Sequence, residues 1–339
     1  MKYMLFLTLL IINLTFNFKW GIQSSPVKFY LYRMNYPANQ IEFEEMFRTE
    51  QDCVDYLASL RWPSGFECSQ CGSIRFWKKS KGRYECCDCH KETTVTNDTI
   101  FHKTTKPLLI WFRAIWCMVA QKNGVSAKGL QKILGLGSYQ TAWTWLHKFR
   151  RLMVLSSRSK LQGTVEVDEI FVGGKTSGKR GRGAEEKSII AVAVEIQGRK
   201  TGRVRLEKIP DASGINLKSF IERNIEPSST IITDGWPSYS ELEKMGYMHQ
   251  VQRTVVKEED EEILPNVHRI ASLLKRWLLG THQSYLNKNK LGYYLDEYVF
   301  RYNRRTSNSR GLLFMRLLEQ AVITEPVTYH KIIKENHGC

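Results

Sequence analysis

Residues 164–172 read TVEVDEIFV and residues 229–235 read STIITDG. Both runs are rich in β-branched residues, and both carry an aspartate near a turn signal. In the first, Val165 and Val167 fall on one face of an extended chain while Glu166 and Asp168 fall on the other. Gly173 and Gly174 then let the backbone turn sharply. In the second, Asp234 closes an otherwise apolar strand and Gly235 follows it. Further β-rich runs at 188–196 and 203–209, a helix near 217–224, and helices over 266–279 and 291–303 complete the pattern. Three strands, a helix, a strand and then helices describe a mixed α/β layer rather than a bundle or a sandwich.

Two carboxylates on adjacent strand ends can share a pair of Mg²⁺ or Mn²⁺ ions, one activating the attacking oxygen and the other stabilising the leaving one in phosphoryl transfer. Asp-Gly is also an ordinary turn dipeptide, so Asp234 carries this meaning only beside Asp168. A third ligand is expected from the helix that starts at Pro265 with Asn266 as N-cap. There His268, Ser272 and Lys275 follow at i, i+4 and i+7, next to an apolar face of Val267, Ile270, Leu274 and Leu278. His268 is the expected third ligand, and Lys275, two turns along, is expected to hold phosphate or substrate DNA. Imidazole is softer than carboxylate, which predicts better activity with Mn²⁺ than with Mg²⁺.

Upstream, Cys68 and Cys71 precede Cys86 and Cys89 in two C-x2-C knuckles, with Gly72 and Asp88 as turn residues. That spacing predicts a tetrahedral Zn²⁺ site; Cys87 points away and His90 is a spare candidate. Lys78, Lys79, Lys81 and Arg83 with Trp77 and Tyr84 read either as a nucleic-acid face or as a solvated basic face. Phe43 to Trp62 reads as a helix plus turn, and Pro107 opens a strongly apolar helix. Helices over 126–134 and 139–153, joined by Gly135 and Gly137, make a helix-turn-helix. Lys128, Lys132, Gln140, Thr144 and Lys148, with Arg150 and Arg151, lie mostly outside its apolar stripes and are of types that reach phosphates and base edges.

The 339 residues carry 50 Lys and Arg against 34 Asp and Glu, a formal net charge of +16, which suits a polyanion or an anionic membrane better than an acidic protein. Hydrophobic residues at 42% and charged residues at 25% exclude a disordered, collagen-like or multi-span membrane chain. The apolar run at 4–18 is short for a membrane span; it reads as a signal-peptide core or as an upstream extension with the working protein starting near Met34.

In order along the chain, RWPSGFECSQCG with YECCDCH, PLLIWFRAIW followed by GLGSYQTAWTWLHKFR, VEVDEIFVGGK, ITDGWPSY, and HRIASLLKRWLLGTH with YLDEYVFRYNRR resemble the ISXO-like insertion-sequence transposases, related to the eukaryotic Merlin elements. The resemblance spans about Met34 to Leu318. It implies an RNase H-like mixed sheet with an Asp-Asp-Glu type site that cuts DNA at element ends and joins the freed 3′-hydroxyls to target DNA. Asp168 and Asp234 match the first two acids, and His268 with Lys275 fits the third position. The implied organisation is an apolar extension over 1–33, a zinc ribbon over 34–103, a helical DNA-binding region over 104–158, the catalytic domain over 159–318 and a tail over 319–339. Structural Zn²⁺ and catalytic Mg²⁺ or Mn²⁺ are the expected cofactors. DNA, as terminal inverted repeats and target, is the expected partner of a homo-oligomer in the cytoplasm, nucleoid or nucleus, with no stable membrane partner. Lys175 and Arg180, with Lys179 and Arg182, could steer DNA toward the metals or form a solvated basic loop. The rival reading is an inactive or domesticated zinc-ribbon DNA-binding protein.

Overall fold

The computed structural model describes residues 36–155, 158–173, 187–252, 263–282, 287–307 and 309–335. The apolar run at 4–18 and the loop carrying Lys175, Lys179, Arg180 and Arg182 lie outside the described residues.

Two helices open the described residues, α1 (Gln40–Met46) and α2 (Glu50–Arg61). The single helix expected from Phe43 is divided because Thr49 and Asp52 form a reciprocal capping box, which starts a new helix. A three-stranded antiparallel ribbon follows, β1 (Phe76–Lys79), β2 (Arg83–Cys86) and β3 (Glu92–Thr94). Next come α3 (Leu108–Ala120), α4 (Ala127–Ile133) and α5 (Tyr139–Arg151). Phe43, Phe47, Phe112, Phe149 and Phe314 are buried in one cluster that also takes in Phe66, Tyr84, Cys68 and Cys86, so ribbon and helices share a core.

The second core surrounds a five-stranded sheet of β4 (Thr164–Val172), β5 (Ser188–Gln197), β6 (Lys200–Ile209), β7 (Thr230–Thr233) and β8 (Met248–Val251). Its order is β6-β5-β4-β7-β8; β6, β5 and β4 run antiparallel, while β4, β7 and β8 run parallel. Three antiparallel strands followed by two parallel additions at the first strand's free edge are an RNase H-like arrangement. Helix α6 (Gly214–Asn224) covers one face, where Val165, Val167 and Ile231 meet Leu217, Phe220 and Ile221. Helices α7 (Pro265–His282) and α8 (Leu291–Tyr302) cover the other, where Val192, Val194 and Ile170 meet Ile270, Leu274 and Leu295.

The segment expected as a tail holds the end of α9 (Arg310–Ile323) and α10 (Tyr329–Lys334). Helix α9 returns to the first core: Leu313, Phe314, Leu317 and Leu318 pack there with the residues of α1 to α3. No helix among the described residues is long and apolar enough to cross a membrane.

Candidate metal centres and nucleic-acid interface

The ribbon presents two knuckles of matching geometry. Gly72 sits four residues after Cys68 with φ +71°, and His90 sits four residues after Cys86 with φ +57°. In each, the N–H of that fourth residue donates to the cysteine carbonyl. His90 therefore fills the left-handed turn position and leans on Glu85 at 3.2 Å, which removes it as a spare ligand. The Sγ atoms of Cys68 and Cys89 lie 3.5 Å apart, as do those of Cys71 and Cys86. A tetrahedral ion with Zn–S bonds of about 2.3 Å requires a sulfur spacing of roughly 3.8 Å, close to what the knuckles provide. The Cys89 and Asp88 N–H groups bring the Cys86 thiol down to about 6 against the effect of burial, while Cys71 and Cys89, facing the other thiols, are pushed up.

The basic cluster on this ribbon is largely neutralised. Lys78 pairs with Asp55 at 2.7 Å, Lys79 pairs with Glu92 at 2.7 Å, and Tyr84 is buried. Trp77 remains exposed.

In the helix-turn-helix, Ser126 and Ser138 cap the two helices through the Gly129 and Gln140 N–H groups, and Gly135 takes φ +59° in the turn. Lys128, Lys132 and Gln140 point into solvent. The Thr144 hydroxyl donates back to the Gln140 carbonyl. The last turn of α5 behaves differently from the expectation of a DNA-facing surface. Lys148 donates to the Ile100 carbonyl at 3.0 Å and lies 5.5 Å from the Trp111 ring, which stacks on Trp145. Arg150 is 1% exposed and donates to Glu297 at 2.8 Å; Arg151 donates to Glu335. Arg150 lines up with buried Ala142 and Leu146, and acids from distant α8 and the segment after α10 pair with Arg150 and Arg151.

Strands β4 and β7 carry the two aspartates. Their parallel register pairs Thr164 with Thr230, Val165 with Ile231 and Glu166 with Ile232. The same offset carried two residues further would set Asp168 level with Asp234, the residue that follows the end of β7. Alternation puts Asp168 on the α7 side of the sheet with Glu166 and Ile170, the side on which Ile232 of β7 also packs. Each aspartate is half-buried, and each accepts from a nearby backbone N–H: Asp168 from Glu169 at 2.8 Å, Asp234 from Trp236 at 2.9 Å. On the opposite face, buried Tyr239 donates to Glu169 at 3.1 Å and ties the loop after Asp234 to β4. Burial together with Glu169, Asp168 and Asp234 holds the Tyr239 phenol well above its usual pKa.

Glu166 explains how α7 is placed. Its carboxylate, 3% exposed, accepts from the Asn266 N–H at 2.8 Å, the Val267 N–H at 3.0 Å and the Asn266 amide at 2.7 Å. A negative group thus satisfies the open N–H groups and favourable dipole end of the helix. Asn266 is therefore not the N-cap: Pro265 takes the first helical position and Asn266 bridges Glu166 to Thr201. His268 and Lys275 follow on α7, both exposed. Among the described residues, only the four cysteines bring three or more potential ligand atoms within 4.8 Å of one another; Asp168, Asp234 and His268 do not meet that spacing as a trio.

Residues 160–303 match the family described as the ISXO2-like transposase domain, and residues 48–92 match the transposase zinc-ribbon domain. The two matched stretches take in the ribbon's cysteines and the sheet described above, in that order. A solved structure, the Mos1 strand transfer complex, is 14% identical, covers 62% of this chain and 75% of its own, and superposes with a TM-score of 0.25. No curated protein matches the chain.

Proposed function

We propose that this protein is a DNA transposase that cuts at insertion-element ends and transfers the strands to target DNA by two-metal phosphoryl transfer. The observation that supports this reading is the β4–β7 register, with Glu166 opposite Ile232, which carried two residues on would bring Asp168 level with Asp234 just past the end of β7. Their carboxylates offer the hard oxygen donors that Mg²⁺ and Mn²⁺ take, and the His268 imidazole, two residues past Asn266, suits Mn²⁺. Divalent ions held by these three side chains would supply Lewis-acid chemistry at the phosphate. Glu166 fixes the start of α7, and with it the approach of His268. Lys275 lies about 10 Å further along the helix axis, where its cation can meet a neighbouring phosphate. The four-cysteine ribbon holds structural Zn²⁺, and Lys128, Lys132 and Gln140 face the DNA. Pairing of two element ends calls for at least two copies acting on DNA.

The test is nicking of a supercoiled plasmid bearing the element ends in Mn²⁺. Asp168→Ala and Asp234→Ala are expected to lose at least about 100-fold in rate, the upper end of what losing a residue that merely orients a metal ligand costs, while DNA affinity without divalent ion persists. Nicking retained in Asp168→Ala refutes the assignment, and a Mg²⁺ rate above the Mn²⁺ rate refutes His268 as ligand.

A further inference from the structure

A groove of about 1040 Å³ runs between the helical unit and the sheet's outer helices, away from the aspartates. Its walls come from the turn after α3, from α7 and α8, and from the start of α9. Five cations line it, Lys122, Arg276, Arg301, Arg305 and Arg310, and no carboxylate does. Two of the five build the wall. Arg301 donates to the Met118 and Gln121 carbonyls and pairs with buried Glu297; Arg305 donates to the Thr201 and Gly202 carbonyls and stacks on Tyr302. The other three differ. Among the described residues no acid pairs with Lys122, Arg276 or Arg310, and Lys122 and Arg276 are exposed.

We propose that this groove seats one strand of duplex DNA, carrying it from the phosphoryl-transfer site along α7; the inference rests on the transposase reading and adds the path of the substrate. Charge and position both favour a long polyanion over a small one. The three unpaired cations come from three separate elements around a groove of about 1040 Å³, far more space than one small anion fills. Leu273, Arg276 and Gly280 line the groove at i, i+3 and i+7 on α7, next to the stripe of His268, Ser272 and Lys275. From His268 to Gly280 the helix advances about 18 Å, or about five base steps at 3.4 Å each. A strand engaged near His268 would pass Lys275 and enter the groove at Arg276. The walls are fixed beforehand: the Asn123 carbonyl accepts from both Trp277 and Thr281, which holds the turn to α7. Pre-set walls lower the ordering cost of binding.

The experiment titrates salt against binding of a 40-base-pair DNA duplex to the full chain, without divalent ions. The variants are the triple Lys122→Gln, Arg276→Gln, Arg310→Gln and its charge-retaining counterpart Lys122→Arg, Arg276→Lys, Arg310→Lys. Three lost phosphate contacts reduce the slope of log affinity against log salt by about 2.7. Raising salt from 50 to 200 mM then weakens the neutral triple about 40-fold less than the wild type, and the charge-retaining triple behaves as wild type. Unchanged zinc content and melting temperature exclude misfolding; if the triple does not fold, each single variant should lower the slope by about 0.9. A wild-type slope in the neutral triple and in the singles overturns the groove, as does tighter binding of an RNA duplex of equal length. Plasmid nicking on the same preparations separates the two readings. Wild type that nicks, with Asp168→Ala inactive and the neutral triple unaltered in slope, rejects the groove and leaves the transposase; nicking by Asp168→Ala rejects the transposase reading itself.

Discussion

Glu297 is the side chain whose loss should cost this fold most, and the size of the loss can be worked out. It is fully buried and accepts from Arg150 at 2.8 Å and from Arg301 at 2.8 Å. Burial opposes its charge, yet Arg301 and Arg150 hold its carboxyl below the usual range. Glu297→Gln keeps the volume but leaves two guanidiniums facing a neutral amide, with Arg150 1% exposed. Removing one partner of a buried pair costs about 3–5 kcal/mol. At about 2 °C per kcal/mol for a chain of this size, the melting temperature should fall by roughly 6–10 °C. Glu44→Gln, at the exposed pair with Arg113, should cost no more than about 1 kcal/mol. The sign with pH follows from the lowered carboxyl: its contribution is present above the unfolded value of about 4.3 and is lost as pH falls through the native one. Thermal unfolding of wild type and variant should therefore differ at pH 7.5 and converge in acid. Arg150→Met should cost at least about 1 kcal/mol less in the Glu297→Gln background than alone. A Glu297→Gln shift below about 2 °C, or additive single effects, refutes the claim that this cluster couples α5 to α8.

Other expectations bear on the same molecule. Gly124 has φ +75°, and a Cβ there would stand 2.7 Å from the Glu297 carboxylate, so Gly124→Ala should destabilise by about 1–3 kcal/mol; an unchanged denaturant midpoint would contradict it. Burial pushes His282 down to about 4, next to Arg150, Glu297 and Arg301. Neutral His282 then contributes stability above about pH 6.5 that is lost as pH falls toward 4, and His282→Gln should flatten the melting curve across that window. Chelation of Zn²⁺ should unfold more than the ribbon, because Cys68 and Cys86 sit in the core with Phe66 and Phe112. The check is loss of near-ultraviolet tryptophan dichroism from the Trp111–Trp145 stack on chelation; a signal that survives would show the ribbon to be independent.

The legible parts of the sequence were those where a local period decides the outcome. Strand β4 alternates over Val165 to Asp168 in a β-branched run and was found with its bounds. Strand β8 spans four residues with His249 and Gln250 at its centre, and nothing local separates it from a loop until β7 pairs with it. The four thiolates could be read because two-residue spacing within each pair already forces a knuckle. Arg150 could not: it lies four residues after Leu146 and eight after Ala142, in line with the buried stripe, but only Glu297, 147 residues away, makes burial of a guanidinium tolerable. The acids of β4 make the same point about the site. Glu166 and Asp168 are alike in type and share a face, and alternation alone would give both to a metal. What separates them is depth along the strand, about 7 Å for two residues. At the inner position the carboxylate meets the open N–H groups of α7 and is consumed in holding that helix; at the outer one it stays half-buried and accepts from the Glu169 N–H. An acid's role here is thus set by where a helix 100 residues later begins, which no reading of the strand by itself contains.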